Sequence, residues 1–133
     1  MTFAEIVTKI GIAAATAVSG ISHAYLYIHG YQHIPAIGAA FVLQASVSFA
    51  VAVLILIGGP EWLVWAAAML AGGALAAFAL SRTVGLVGFS ERGWQPSQHA
   101  AVSVVAELLT VGLWMGYLIG RRRVGGRGRL PST

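Results

Sequence analysis

The chain has 133 residues, of which 58% are hydrophobic and only 9% are charged, and its mean hydropathy is +0.82. An average soluble domain is about 25% charged, so this composition is that of a membrane protein, with room for roughly four helical spans and no soluble catalytic domain. The formal net charge of +4 comes mostly from arginines after residue 120, and the lack of cysteine excludes disulfides, thiolate metal sites and cysteine nucleophiles.

Four long apolar runs predict an all-α protein, a four-helix transmembrane bundle. The connections between them are HGYQHIP (29–35), GGPE (58–61) and residues 82–98, in which GLVGF is apolar enough to lie among headgroups or to fold back into the bundle. We expect the first run to be a span and not a cleaved signal peptide. The predicted spans are about 6–28, 36–57, 62–81 and 99–120, within a transmembrane domain at 1–123 that precedes a basic flexible tail at 124–133.

Basic residues beside the spans predict the orientation of the protein in the membrane. Arginines at 121–129 directly follow the last span and Lys9 precedes the first, and positive flanks mark the cytoplasmic face. Both termini are therefore expected in the cytoplasm, with Arg82 and Arg92 as mild exceptions on the outer side. The Ala, Gly, Val and Arg bias favours a bacterial cell membrane. Because the arginines adjoin a span, we expect them to contact anionic lipid headgroups and not nucleic acid.

Three polar side chains in different spans are predicted to lie at one depth. Counted from the outer ends of their spans, His23, Gln44 and Glu107 all lie on the order of 10 Å into the hydrocarbon. Helical phase agrees with this. The polar stripes are Thr16, Ser19, His23 and Tyr27 on the first span, Gln44 and Ser48 on the second, and His99, Ser103, Glu107, Thr110 and Trp114 on the fourth. The sequence therefore predicts a buried polar layer in the outer half of the bundle.

Glu107 is the only carboxylate well inside an apolar run. An ionised carboxylate that faced lipid would cost several kcal/mol, so we expect Glu107 to point inward. Its candidate partners are His23, Gln44 and Ser103, and Arg82 is placed to reach down from the end of the third span. Two roles stay open for this layer. It either holds the helices together, which is the expectation for Gln44, or it handles protons or binds a ligand such as a quinone, a haem or a lipid.

Histidines near the outer face are candidates for a metal site. His29 and His33 are spaced by one helical turn, and together with His99 they would offer three imidazoles. The turn residues around them favour the alternative, in which these histidines bind water and headgroups at the interface. A haem between His23 and His99 is a further alternative, because haem iron accepts axial histidine, but His99 lies close to the surface.

The second half of the last span carries glycines at a regular spacing. Gly112, Gly116 and Gly120 form a GxxxGxxxG run, which is typical of close helix contact in membranes. This glycine face lies roughly 140° around the helix from Glu107, so one neighbouring helix cannot cover both. The glycines either pack on another helix of the same bundle or meet a partner subunit or a second copy of the chain.

Three segments resemble a known class of protein. They are HAYLYIHGYQHIPAIGAAFVLQA (23–45), LSRTVGLVGF (80–89) and VVAELL (104–109), and together they resemble small four-span integral membrane proteins of actinobacterial type across most of residues 20–110. A looser similarity to DoxX-type proteins rests on the number of spans and the polar outer layer. The resemblance implies a four-helix fold and supplies no activity.

No motif in the chain indicates an enzyme. A P-loop, HExxH, GxSxG and a carboxylate pair are all missing from the sequence. We therefore expect a non-catalytic accessory subunit or scaffold of a larger membrane assembly, for example a respiratory one. The alternative is a protein that binds a small molecule in an outer-leaflet pocket around His23, Gln44 and Glu107. A proton-coupled carrier or a lipid-modifying enzyme is the third hypothesis.

Overall fold

Four helices form the protein in the computed structural model, which describes residues 1–86, 88, 90 and 97–128. All four are long and apolar enough to cross a bilayer, so the chain is a multi-pass membrane protein and the predicted four-helix transmembrane bundle is confirmed. The helices are α1 (Phe3–Leu26), α2 (Ile37–Leu56), α3 (Trp62–Arg82) and α4 (Ser97–Arg127).

The first helical run, α1 with the π-helical turn that follows it, is longer than predicted at both ends. At its start, Thr2 and Glu5 form a reciprocal capping box, in which each side chain accepts a hydrogen bond from the other's backbone amide. At its end, the chain continues as a π-helical turn at Tyr27–Tyr31, so the predicted turn at 29–35 is partly helical. The remaining connection is strained at Ala36, which has φ 63° and ψ −42°. Its neighbours, Ile37 N–H and Pro35 C=O, are 2.7 Å apart across a tight γ-turn.

Helix α4 also runs past its predicted end. It continues to Arg127, so residues 124–127, which the sequence assigned to a flexible tail, are helical. Residues 129–133 of that predicted tail, and residues 87 and 89 of the GLVGF segment, lie outside the described residues. Leu86 of that segment is described, and it packs against the buried residues Leu26, Tyr31 and Ile37, as expected for a loop that folds back onto the bundle.

The helices form a ring in chain order. Helix α1 packs along both α2 and α4, and α3 closes the ring between them. The chain termini and the α2–α3 connection share one end, which we call the arginine end. There Arg121 forms an ion pair with Glu61, and Lys9 Nζ lies 5.9 Å from the centre of the Tyr117 ring. The opposite end, with His29, His33 and His99, is the histidine end.

The two halves of the bundle are filled differently. The half toward the arginine end holds a continuous apolar core. Its buried residues are Ile12, Ala13, Val51, Ala52, Ile55, Leu63, Val64, Ala67 and Tyr117. Helix α1 approaches α2 closely above this core, because a Cβ on Gly20 would lie 3.1 Å from Ser48 Cβ and 3.4 Å from the Ala45 carbonyl oxygen. Polar side chains and a cavity occupy the half toward the histidine end.

Candidate ligand site

The candidate site is a cavity of about 190 Å³ that all four helices line. Its walls are mainly apolar and aromatic, and polar side chains from all four helices line it. They are His23 from α1, Gln44 from α2, Ser81 and Arg82 from α3, and Ser103 and Glu107 from α4. All five ligand-binding or proton-handling candidates that the sequence predicted are in this lining, and Ser81 is an addition to them.

Glu107 is the most buried polar side chain of the site, since it is only 2% exposed. Ser103 Oγ, one turn earlier on α4, donates to its Oε1 at 2.7 Å, and Ser19 Oγ of α1 donates to the same atom at 3.0 Å. Within the described residues, both hydrogen bonds to this carboxyl group end on Oε1 and neither on Oε2. One oxygen of Glu107 therefore ties α1 to α4, and the other is not used by the fold.

His23 lies beside Glu107 with its two ring nitrogens in different environments. Its Nδ1 is 2.9 Å from the backbone carbonyl oxygen of Ser19. Because a carbonyl oxygen only accepts, this contact places a proton on Nδ1 and leaves Nε2 with a lone pair in the neutral ring. Nε2 lies 3.8 Å from Glu107 Oε1, which is beyond hydrogen-bond distance. The site thus presents a nitrogen and a carboxyl group side by side without a direct bond between them.

Gln44 and Arg82 occupy opposite ends of the cavity. The Gln44 amide donates to the carbonyl oxygen of Leu70 at 3.3 Å and so joins α2 to α3, in agreement with its expected structural role. Arg82 ends α3, and its Cζ lies 4.3 Å from the centre of the Phe78 ring. A cation over an aromatic face is stabilised by the ring quadrupole, so the guanidinium group is held at the histidine end of the cavity.

A π-helical turn shapes the wall of the site on α1. Such turns are rare in proteins, and those that occur are often found at functional sites. Here the turn carries Tyr31 inward, where it is 6% exposed and stacks on Phe41 with ring centres 4.7 Å apart. Phe41 in turn contacts the His23 ring at 5.1 Å. These three rings make one wall of the cavity and fix the orientation of the imidazole.

The structure does not bring the predicted metal candidates together. The Tyr25 ring stacks against His29 at 3.9 Å and against His99 at 3.6 Å, so a tyrosine lies between the two imidazoles. His33 is exposed in the following turn. Among the described residues, no group of three or more histidines, aspartates or glutamates is placed to hold a metal ion. His99 does not line the cavity that contains His23, so the structure does not bring the two candidate haem ligands together there.

Sequence reasoning missed some residues of the site. Ser19 was placed on the correct face of α1 but was not recognised as a donor to Glu107. Ser19 lies one helical turn before His23 in the polar stripe of the first span, and this spacing could have indicated that it belongs to the site. The aromatic wall of Tyr31 and Phe41 had no comparable signal, because aromatic residues in an apolar span are typical of any bundle core.

The glycine face of α4 points away from the site. Gly112, Gly116 and Gly120 are exposed, and a Cβ on any of them would meet no atom within 4 Å. The interpretation in which these glycines pack on another helix of the same bundle is therefore wrong. The predicted opposition of the two faces of α4 is observed, since Glu107 is buried and the glycines are not.

The size and lining of the cavity limit what it can hold. Pockets for drug-sized ligands are about 300–1,000 Å³, whereas an apolar cavity of about 150 Å³ accommodates a benzene ring. At about 190 Å³, the cavity suits a substituted six-membered ring or a group of that size and does not suit a haem. His23, Ser103 and Glu107 form one polar group in its wall, and Gln44, Ser81 and Arg82 are the other polar side chains there.

Neither the family models, nor the curated proteins, nor the solved structures with which the chain was compared gave a match.

Proposed function

We propose that this protein binds a small molecule whose polar head occupies the cavity between His23, Ser103 and Glu107. The observation that carries the proposal is the convergence of polar side chains from four helices on one cavity with mainly apolar walls. A polar layer that served only to join helices would spend its hydrogen bonds on other helices. Here Glu107 Oε2 and His23 Nε2 are left for something else within the described residues.

The two groups suit a ligand that carries a hydroxyl or carbonyl group. A hydroxyl placed between them donates to His23 Nε2 or to the Glu107 carboxylate, whose separation of 3.8 Å leaves room for a bridging oxygen. A carbonyl oxygen in the same place accepts from the protonated form of either group. The proposed pair therefore recognises both the reduced and the oxidised form of a quinone-like ring. It also provides two adjacent groups between which a proton can move.

The test is to identify what the purified protein retains. The protein is extracted from its native membranes in mild detergent, and bound molecules are released and analysed by mass spectrometry and by visible absorption. We expect a stoichiometric small organic molecule that is lost from Glu107→Gln. Thr110→Val is the matched control, since Thr110 is 1% exposed on the same helix but does not line the cavity. A wild-type protein that retains no such molecule contradicts the proposal.

We further propose that the protein lies in a bacterial cell membrane with both termini in the cytoplasm. The support is the cluster of basic residues at the arginine end, where Lys9 lies in the first turns of α1 and Arg121 to Arg123 lie in the last turns of α4. This end is expected to contact anionic headgroups. The cavity then opens in the outer half of the bilayer. Reporter enzymes fused to the C-terminus test this, because an alkaline phosphatase fusion should be inactive and a fluorescent protein fusion bright.

A second candidate function is that of an accessory subunit in a larger membrane assembly. The observation that favours it is the uncovered glycine face of α4, since Gly112, Gly116 and Gly120 leave a flat strip of about 12 Å along the helix. The proposed occupant is a transmembrane helix of another protein that packs against this strip. Native gel migration of solubilised membranes tests it. We expect a large particle that Gly116→Leu disrupts and Gly72→Leu does not, whereas a small particle or a dimer contradicts the idea.

A further inference from the structure

The cavity reaches the side of the bundle between α2 and α3. Two of the residues that line it, Ala40 and Gly73, are exposed, whereas most of the lining is buried or half-buried. Exposed residues in the lining mark the place where the cavity is open. We call the strip formed by Ala40, Gln44, Gly73 and Ala77 the α2–α3 seam.

The seam is open and not merely lined by small residues. Small residues on facing membrane helices usually allow the backbones to touch, but a Cβ added to Gly73 would meet no atom within 4 Å. By contrast, a Cβ on Gly20 at the α1–α2 contact would lie 3.1 Å from Ser48. The hydrogen bond from Gln44 to the Leu70 carbonyl closes the seam toward the arginine end. This hydrogen bond therefore bounds the opening on the side of the arginine end, and the opening lies next to it on the side of the histidine end.

The opening lies within the hydrocarbon and not at the membrane surface. Gly73 is on the order of 13 Å along α3 from Arg82 at the helix end. At the histidine end, the side chains of Tyr31, Ile37 and Leu86 pack together over the cavity, and Arg82 lies beside them over Phe78. A molecule dissolved in the bilayer thus meets an open path at the seam, whereas a molecule from water meets packed side chains.

We infer that the ligand is a membrane-dissolved amphiphile, a quinol- or phenol-type ring with an apolar chain, which enters through the α2–α3 seam and leaves its chain there. The inference rests on the proposed function and adds the class of ligand and its route. The ring occupies the cavity, which is about the size of one substituted ring, with its hydroxyl at His23 and Glu107. The chain is left against Ala40, Gly73 and Ala77, where a Cβ added to Gly73 would meet no atom of the described residues within 4 Å.

The chain offers a matched pair of variants to test the seam. Gly72 and Gly73 are adjacent on α3, both are exposed, and a Cβ on either meets nothing within 4 Å, but only Gly73 lines the cavity. The protein is placed in lipid nanodiscs, and binding of decylbenzoquinol is measured by equilibrium dialysis. Gly73→Leu is expected to weaken binding about tenfold or more, by analogy with the cost of a misfit group in a pocket. Gly72→Leu is expected to bind within about twofold of the wild type.

A second measurement needs no substitution. A benzoquinol whose alkyl chain carries a diazirine is photolysed on the wild-type protein, and the labelled peptides are identified. Labels within 37–44 and 70–77 that unlabelled quinol displaces support the inference. Labels elsewhere overturn it, as does wild-type protein that binds no quinol. If Gly73→Leu binds normally while Glu107→Gln does not, the seam is not the route, but the cavity remains the ligand site, so the two proposals fail separately.

Discussion

His23 Nε2 and Glu107 Oε1 lie 3.8 Å apart in the interior of the bundle. The distance is too long for a direct hydrogen bond and leaves room for an oxygen atom that contacts both groups. The imidazole is held in place from its other side, where Nδ1 contacts the Ser19 carbonyl at 2.9 Å. The pair is therefore oriented by the fold, while His23 Nε2 and the second carboxyl oxygen of Glu107, Oε2, have no hydrogen bond to any of the described residues.

Replacement of His23 by phenylalanine is expected to weaken ligand binding while preserving the fold. The ring remains to pack on Phe41, which contacts the imidazole at 5.1 Å, but the Nε2 acceptor is lost. We expect binding of decylbenzoquinol to weaken about tenfold or more, because a ligand hydroxyl would lose its partner. Equilibrium dialysis in nanodiscs gives the affinity, and gel filtration in detergent shows whether the variant folds. Undiminished binding would remove His23 from the site.

Loss of the two serine donors to Glu107 is expected to destabilise the bundle. Ser103→Ala and Ser19→Ala each remove a hydrogen bond to Oε1, of 2.7 and 3.0 Å. Side-chain hydrogen bonds between membrane helices contribute about 0.6 kcal/mol on average and at most about 1.7, so each variant should lose stability in that range. Unfolding in mixed micelles measures it. The double variant should deviate from additivity because both donors share one acceptor atom, and simple additivity would argue against shared use.

Ser48→Ala is expected to preserve or raise the stability of the bundle, whereas Ser103→Ala and Ser19→Ala lower it. Ser48 is 1% exposed, and its Oγ has no hydrogen-bond partner within the described part of the chain. A buried hydroxyl without a partner has lost its hydration without compensation, which costs about 1–3 kcal/mol. The alanine variant should therefore be as stable as the wild type or more stable by about 1 kcal/mol. The same unfolding assay, with Ser103→Ala as the reference, decides it. A loss equal to that of Ser103→Ala would show that Ser48 is hydrogen-bonded.

Ala36→Gly is expected to stabilise the protein. Ala36 is the non-glycine residue with positive φ among the described residues, at φ 63°, and such backbone conformations cost about 1–3 kcal/mol for a residue with a Cβ. Glycine adopts them freely but gains freedom in the unfolded chain, so a net gain of about 1 kcal/mol is expected. The midpoint of thermal unfolding in detergent should rise, and a lower midpoint would show that the turn is unstrained.

Leucine at Gly20 and at Gly112 is expected to have different effects. At Gly20 the new side chain meets Ser48 and the Ala45 backbone, so α1 and α2 must separate. Overpacking of this kind costs about 1–3 kcal/mol. At Gly112 nothing lies within 4 Å, and the isolated protein should keep its stability. Unfolding of the purified variants compares the two. Equal losses would mean that the glycine face of α4 is covered within the bundle.

The site illustrates which parts of a membrane protein are encoded locally. The depth of His23, Gln44 and Glu107 follows from residue counts along helices, because a helix rises by a fixed amount per residue and its ends are anchored at the interfaces. The inward direction of Glu107 follows from the cost of a carboxylate in lipid. These two arguments were sufficient to gather the residues that line one cavity.

Other features depended on contacts between helices that no local pattern encodes. Ser19 was on the correct face, but its hydrogen bond to Glu107 depends on the rotation of α1 against α4. The stacking of Tyr25 between His29 and His99 separates imidazoles that the spacing had made candidates for a three-histidine site. The glycine run predicted close packing, but α1 and α3 pack against other faces of α4. The glycine face is therefore exposed.

The sequence by itself determined the fold class, the number of spans and the depth of the polar layer, because hydrophobic length and helical rise are properties of each segment alone. Only the tertiary structure decided that a cavity remains beside Glu107 and that the exposed residue Gly73 lines it. Empty space between helices is set by how four surfaces fit together, and the small residues of the α2–α3 seam are compatible with either a close contact or an opening.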